Sequence, residues 1–298
     1  PRMARIGLRE EVKRRDMSDY GFAEPVSKLL TLGDLREERE WRDYTDLGIG
    51  MEHVPDLCRM IEDDDLYEAD WESPEVWAPV HAWRAVGQLR AAGAVDALLG
   101  ILWRVEDGDD WVGEEVPAVL GMIGPAAVPK IAAYLDERLH GLWPRVTAAH
   151  ALAEIGQQNP EERDDCVAVL SGCLEDYAAH PPELNAFLMS YLVDLKAVEV
   201  APLMDKVFAS DRVDISVQGD WEDVQIRLGL LDERLTPAPE YEWFPELPLL
   251  EPFLPKPKTT SKRQWRAEQA AERRQKDKRR AKRKRQKKAR MKQRKRKK

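Results

Sequence analysis

The sequence predicts an all-α chain: a right-handed α-solenoid of about five to six stacked helical hairpins. Three observations predict it. Trp77, Trp111 and Trp143 each stand ten residues before a landmark, Gly87-Gln88-Leu89, Gly121-Met122-Ile123 and Ala153-Glu154-Ile155, so the pattern steps by 34 and 32 residues. A second pattern follows the landmark: an aliphatic, a short gap, Val, two positions, then another aliphatic. It reads Ile49…Val54…Leu57, Leu89…Val95…Leu98, Ile123…Val128…Ile131 and Leu195…Val200…Leu203, with a longer gap in Ile155…Val167…Leu170. No segment alternates with the period of a strand. A repeat of this length marks stacked hairpins, because one hairpin cannot bury its apolar face alone.

The elements follow in order. Residues 1–17 mix Arg with Glu and lack the apolar core of a signal peptide. Met17-Ser18-Asp19 reads as a native start, preceded by a flexible extension. The solenoid is expected over 18–235. A short helix at 23–31 caps it, and hairpins are placed at 34–62, 74–105, 111–138, 143–178 and 182–209. A last helix at 220–234 repeats part of the code, since Asp220-Trp221 through Leu228-Gly229 echoes Asp110-Trp111 through Leu120-Gly121. First helices are expected to end where Gly50, Gly93, Gly124 or Gly156 takes a positive φ. Second helices open on Pro55, Pro125, Pro129 and Pro202, where the missing N–H costs least.

Two stretches carry a family resemblance. Gly124-Pro125-Ala126-Ala127-Val128-Pro129-Lys130-Ile131 and Ala148-Ala149-His150-Ala151-Leu152-Ala153-Glu154-Ile155-Gly156 resemble HEAT-type repeats, most closely the bacterial PBS-lyase HEAT-like class. The resemblance covers about 45–210. It implies the fold far more than a function, because such repeats serve scaffolds, chromophore lyases and metal enzymes alike.

The C-terminal quarter changes character. Residues 236–258 carry seven prolines interleaved with Tyr241, Trp243, Phe244, Phe253 and several leucines. Helix is excluded there. A strap packed on the last repeats, a linear motif for a partner and a plain spacer all fit. Residues 259–298 form a basic tail, disordered or conditionally helical. From Lys262 to Lys298 there are 22 Lys or Arg against three acids, a net of +19. The whole chain carries −8, so residues 1–261 carry −27. Lys282, Arg283, Lys284, Arg285, Lys287, Lys288 and Arg290 are the densest candidates for phosphate contact. With one aromatic, Trp265, the tail offers little base stacking, so it would grip a nucleic-acid backbone rather than read sequence.

Chemistry-bearing motifs are few. Cys58, Cys166 and Cys173 lack metal-ligand spacing and, as an odd number, argue against a disulfide framework; a reducing, cytoplasmic setting is expected. Cys166 and Cys173 are expected to share one buried helix face. No membrane association is expected, because no apolar run is read as reaching the roughly 18 residues of a span. HEAT-like hydroxylases bind iron through His-Glu pairs, yet His53, His81, His140, His150 and His180 are followed by Val54, Ala82, Gly141, Ala151 and Pro181. A P-loop, a nucleophile elbow and a dinucleotide fingerprint are absent. No catalytic residue, metal or cofactor is expected.

Acidic loops precede the tryptophan-bearing helices. They include Glu62 to Asp65, Glu106 to Asp110 and Asp211 to Asp220. Loops at equivalent repeat positions share one edge, which predicts an acidic ridge carrying Trp77, Trp111, Trp143 and Trp221, with Asp109, Asp110 and Glu114 beside them. Carboxylates around an indole suit a cationic peptide. Packing of each Trp between repeats is the alternative. The expected function is therefore a non-enzymatic protein-binding scaffold with a cationic arm, its partner a basic segment of another protein. The second reading is an RNA- or ribosome-associated factor that binds through residues 262–298. A third, suggested by the resemblance, is a phycobilin-lyase-like role with His81, Trp83 and Glu115 lining a cleft.

Overall fold

A computed structural model of the protein describes residues 20–36 and 40–239. The extension at 1–17, nearly all of the 236–258 segment and the basic tail lie outside the described residues. Within them the protein is all-α: eleven α-helices joined by short 3-10 turns, with no strand.

Helices follow one another in the order the repeat predicts. Helix α3 (Ala78–Gln88) is followed by α4 (Val95–Gly100), α5 (Asp110–Ile123) by α6 (Val128–Asp136), α7 (Leu142–Gln158) by α8 (Arg163–Glu175), and α9 (Pro182–Asp194) by α10 (Ala201–Ala209). First helices pack on first helices, α3 on α5, α5 on α7 and α7 on α9, while α4 packs on α6 and α6 on α8. The apolar residues of both repeat patterns form the core: Val54, Leu57, Val95, Leu98, Val128, Ile131, Val167, Leu170, Val200 and Leu89 all face it. Polar contacts between elements also keep the period. Tyr44 meets His81, Arg84 meets Glu115, Lys130 meets Asp96 and Arg227 meets Asp194 at separations of 37, 31, 34 and 33 residues.

The landmark has a packing role. A Cβ at Gly87 would lie 3.2 Å from Val119 Cγ1 and 3.3 Å from Met122 Sδ. One at Gly121 would lie 3.0 Å from Glu154 Cβ and 2.6 Å from Gln158 Nε2. Each glycine thus sits where the next first helix crosses, and its missing side chain sets the approach. All four proline positions hold: Pro55, Pro125, Pro129 and Pro202 open their helical segments.

Other expectations need correction. Among the described residues no α-helix precedes α1 (Val54–Ile61) in the first hairpin; Thr45–Leu47 and Met51–His53 are single 3-10 turns. The physical reason is local. Gln88 reaches across from α3, accepting from Tyr44 N and donating to Arg42 O, so backbone groups that a helix would use internally are satisfied from outside. The cap at 23–31 is a 3-10 helix, Val26–Thr31, burying Val26, Leu29 and Leu30. The left-handed residue after the landmark is Arg90, Gly124 and Lys196, with φ of 49°, 80° and 54°. Gly50 is extended instead and Gly156 stays inside α7. The acidic run at 62–65 includes the start of a short helix, α2 (Asp64–Tyr67), capped by Asp63.

The last helix, α11 (Trp221–Leu228), stops at Gly229, φ 74°, well short of 234. The chain then folds back over its start. Arg234 binds the Asp220 and Asp223 carboxylates, and Glu222 accepts from the Leu235 and Thr236 amides. Of the cysteines on α8, Cys166 is buried, while Cys173 is half-buried. The stretch Asp110–Asp136 is long and apolar enough by composition to cross a membrane, which corrects the reading of run lengths. Here it is α5 and α6, broken at Gly124 and largely buried in the core.

Candidate binding face

The tryptophans of the ladder do not share one environment. Each stands at or just before the start of a helix, Trp77, Trp111 and Trp143 at the successive first helices α3, α5 and α7, and Trp221 at the last helix, α11. Trp77 and Trp111 meet edge to face, centroids 5.3 Å apart at 85°. Both already carry a cation from this chain. The Arg36 guanidinium lies 5.5 Å from the Trp77 ring, and Arg84 lies 5.9 Å from Trp111 and 4.8 Å from Trp41. Arg84 is 3% exposed and forms a forked ion pair with Glu115, whose Oε2 also accepts from Trp83 Nε1 at 3.0 Å.

Trp221 packs on Phe208 at 5.6 Å, and the acids beside it are the ones Arg234 binds. These contacts hold the Asp220 carboxyl below its ordinary value, the Arg234 hydrogen bond acting most strongly. Trp143 is the one of the four that is exposed. It is 45% exposed, touches Phe187 edge to face at 5.8 Å, and among the described residues carries no cation. Phe187 leads to Tyr191, which stacks on His150 at 5.1 Å and 7°. His150 is 3.5 Å from Glu154, and that contact depresses the Glu154 carboxyl. Trp143, Phe187, Tyr191 and His150 thus form an aromatic strip across α7 and α9, with a carboxylate at its end. A Cβ on Gly141, two residues before Trp143, would collide with the Glu106 carboxylate, so a second acid stands close by.

The acids predicted beside the ladder separate by role. Asp109 caps α5, accepting from Val112 N at 3.3 Å, and burial pushes its carboxyl up. Asp110 and Glu114 are exposed, one turn apart on α5. Two like charges at that spacing gain from an outside cation. Asp64 is taken by Arg104, whose guanidinium also lies 3.5 Å from the Tyr67 ring centroid. The tail candidates Lys282, Arg283, Lys284, Arg285, Lys287, Lys288 and Arg290 lie outside the described residues.

Comparison with protein-family models, curated proteins and solved structures gives no match. The reading therefore rests on the residues alone. His81 and Trp83, which a chromophore cleft would need at its surface, are fully buried. His81 is held between Tyr44 Oη at 2.8 Å and Gly33 O at 3.0 Å. The Arg84–Glu115 pair and the Arg36 and Arg84 cations were missed in the sequence. Their one signal is the 31-residue separation of Arg84 from Glu115, close to one repeat step.

Proposed function

We propose that the protein is a non-enzymatic binding scaffold, a right-handed α-solenoid of HEAT-like hairpins that holds a basic segment of a partner protein against the Trp143 strip. The observation that carries this reading is the contrast within the ladder. Trp77 and Trp111 have their cations supplied by the chain itself, whereas the equivalent indole at Trp143 is open, framed by other aromatics and near carboxylates. A guanidinium or ammonium from outside would complete at Trp143 what Arg36 and Arg84 supply at the other two positions. Repeat spacing, the packing of first helix on first helix and the period of the cross-contacts support the solenoid.

The test is a titration of an arginine-rich peptide into full-length protein and into Trp143→Ala, Trp111→Ala and the double variant Asp110→Asn/Glu114→Gln. Weaker binding by Trp143→Ala, measured where the variant is still fully folded, supports the site; equal affinity refutes it. The charge of residues 262–298 favours a second activity, in which the tail binds RNA or the ribosome. Removing 259–298 would then abolish retention on polyanion and leave the peptide bound. If six to ten phosphates are engaged, affinity falls on the order of 10³–10⁵-fold between 50 and 200 mM salt.

A further inference from the structure

We infer that the protein binds a small oxyanion, a phosphate or carboxylate group, at a buried cluster of Arg145, His180 and Arg212 between α7, α8 and α9. Among the described residues the other buried arginine, Arg84, is matched by Glu115, and the partly buried Arg104 by Asp64. Arg145 differs. It is 7% exposed, and among the described residues no carboxylate lies within 4.0 Å of its guanidinium. Its Nη2 instead faces the ring of His180, 3.2 Å from Nε2, and the Cys173 thiol at 3.8 Å. Both are neutral partners for a group that stays charged at any working pH.

A second guanidinium converges on the same residue. Arg212 donates to the His180 carbonyl at 2.6 Å and to Ala178 O at 3.0 Å, again with no carboxylate partner among the described residues. The donors Arg145 Nε and Arg212 Nε are buried without a hydrogen-bond partner, while the His180 imidazole is engaged by the Asn185 side chain. Asn185 is fully buried and spends its Nδ2 on Tyr177 O and Arg212 O, which pins the segment between them. The acids around the cluster are Asp136, which acts on the Cys173 thiol without reaching Arg145 or Arg212 as an ion pair, and Asp176, already bound by Arg138 at 2.7 Å on the exposed side.

The buried Arg145 has no paired carboxylate, nor has the half-buried Arg212 beside it, and their idle Nε donors add to the cost of that burial. An oxyanion answers both deficits. Its oxygens accept from guanidinium donors in forked geometry, and its charge offsets theirs. Access is from the side of Cys173 and Arg212, which are only half-buried. The site is separate from the Trp143 strip in chemistry: one lacks a cation and the other lacks an anion.

The experiment follows thermal unfolding of the full chain at fixed ionic strength with inorganic phosphate or acetate as probe. It compares wild type with Arg145→Met and Arg212→Gln. The expected result is a saturable rise in midpoint for wild type, lost in Arg145→Met and weakened in Arg212→Gln. In anion-poor buffer Arg145→Met should melt at or above wild type, because an unmatched buried charge has been removed. A response to phosphate alone or to acetate alone identifies the group within the class. No saturable rise in wild type, or an equal rise in both variants, overturns the inference. The second outcome would place the anion on the basic tail.

Discussion

Arg84 and Glu115 form a forked ion pair beneath Trp111, one repeat step apart, with Trp83 Nε1 sharing the same carboxylate. The pair ties α3 to α5 and fixes the cation under the Trp41 and Trp111 rings. Glu115→Ala leaves a buried guanidinium and an indole N–H unmatched. The expected loss is about 3–5 kcal/mol of unfolding free energy, read from urea titration.

The ladder should divide by stability. Trp111→Ala removes an edge-to-face partner of Trp77 and a face for Arg84, and should cost on the order of 3 kcal/mol. Trp143→Ala removes a half-exposed ring and one aromatic contact, and should cost only about 1 kcal/mol. Thermal or urea unfolding of the two variants checks the ordering.

Gly121→Val tests the landmark. The added branches would press on Glu154 and Gln158 of α7. Overpacking of this kind costs about 1–3 kcal/mol. The same substitution at Gly172, inside α8 where a Cβ meets open space, should be neutral or slightly stabilising, because valine has a better helix propensity than glycine.

Acid should weaken the fold through His180. Burial first, then the Arg145 charge, holds this imidazole below its ordinary value. The groups facing it are Arg145 from α7, Cys173 from α8, Asn185 from α9, Arg212, and the Arg138–Asp176 pair beyond. Because the folded state resists the proton, the unfolded state binds more of it as pH falls. The stability is fully present above the unfolded value, about 6.5, and is lost as pH drops through the depressed folded value. His180→Gln should flatten part of the loss between pH 7.5 and 5.5 in phosphate-free buffer. His140, shifted the same way by burial, supplies a further share.

The helix pairs were legible because burial and repetition write themselves into apolar spacing. Val54, Val95, Val128, Val167 and Val200 mark the second segments, and all face the core. The segment before Ile49 was misread because its backbone is satisfied by Gln88, 39 residues or more away in the chain, and spacing carries no trace of that. The ends of the first helices were misplaced because glycine was expected in the left-handed position, where the chain uses Arg90 and Lys196. At the candidate site, the sequence named the four indoles and their acidic loops. It could not tell that Arg36, Arg84 and Arg234 already occupy three of the four surroundings, since cross-repeat pairing depends on which side chains face one another.

The most direct measurement is the affinity of an arginine-rich peptide for full-length protein and for Trp143→Ala, at equal salt. The account predicts a loss of roughly five- to thirtyfold, the 1–2 kcal/mol of one desolvated cation–π contact, with an unfolding midpoint close to wild type. Trp111→Ala, compared below its melting point, should keep its affinity. Equal binding by wild type and Trp143→Ala would contradict the account and leave Trp143 as a packing residue.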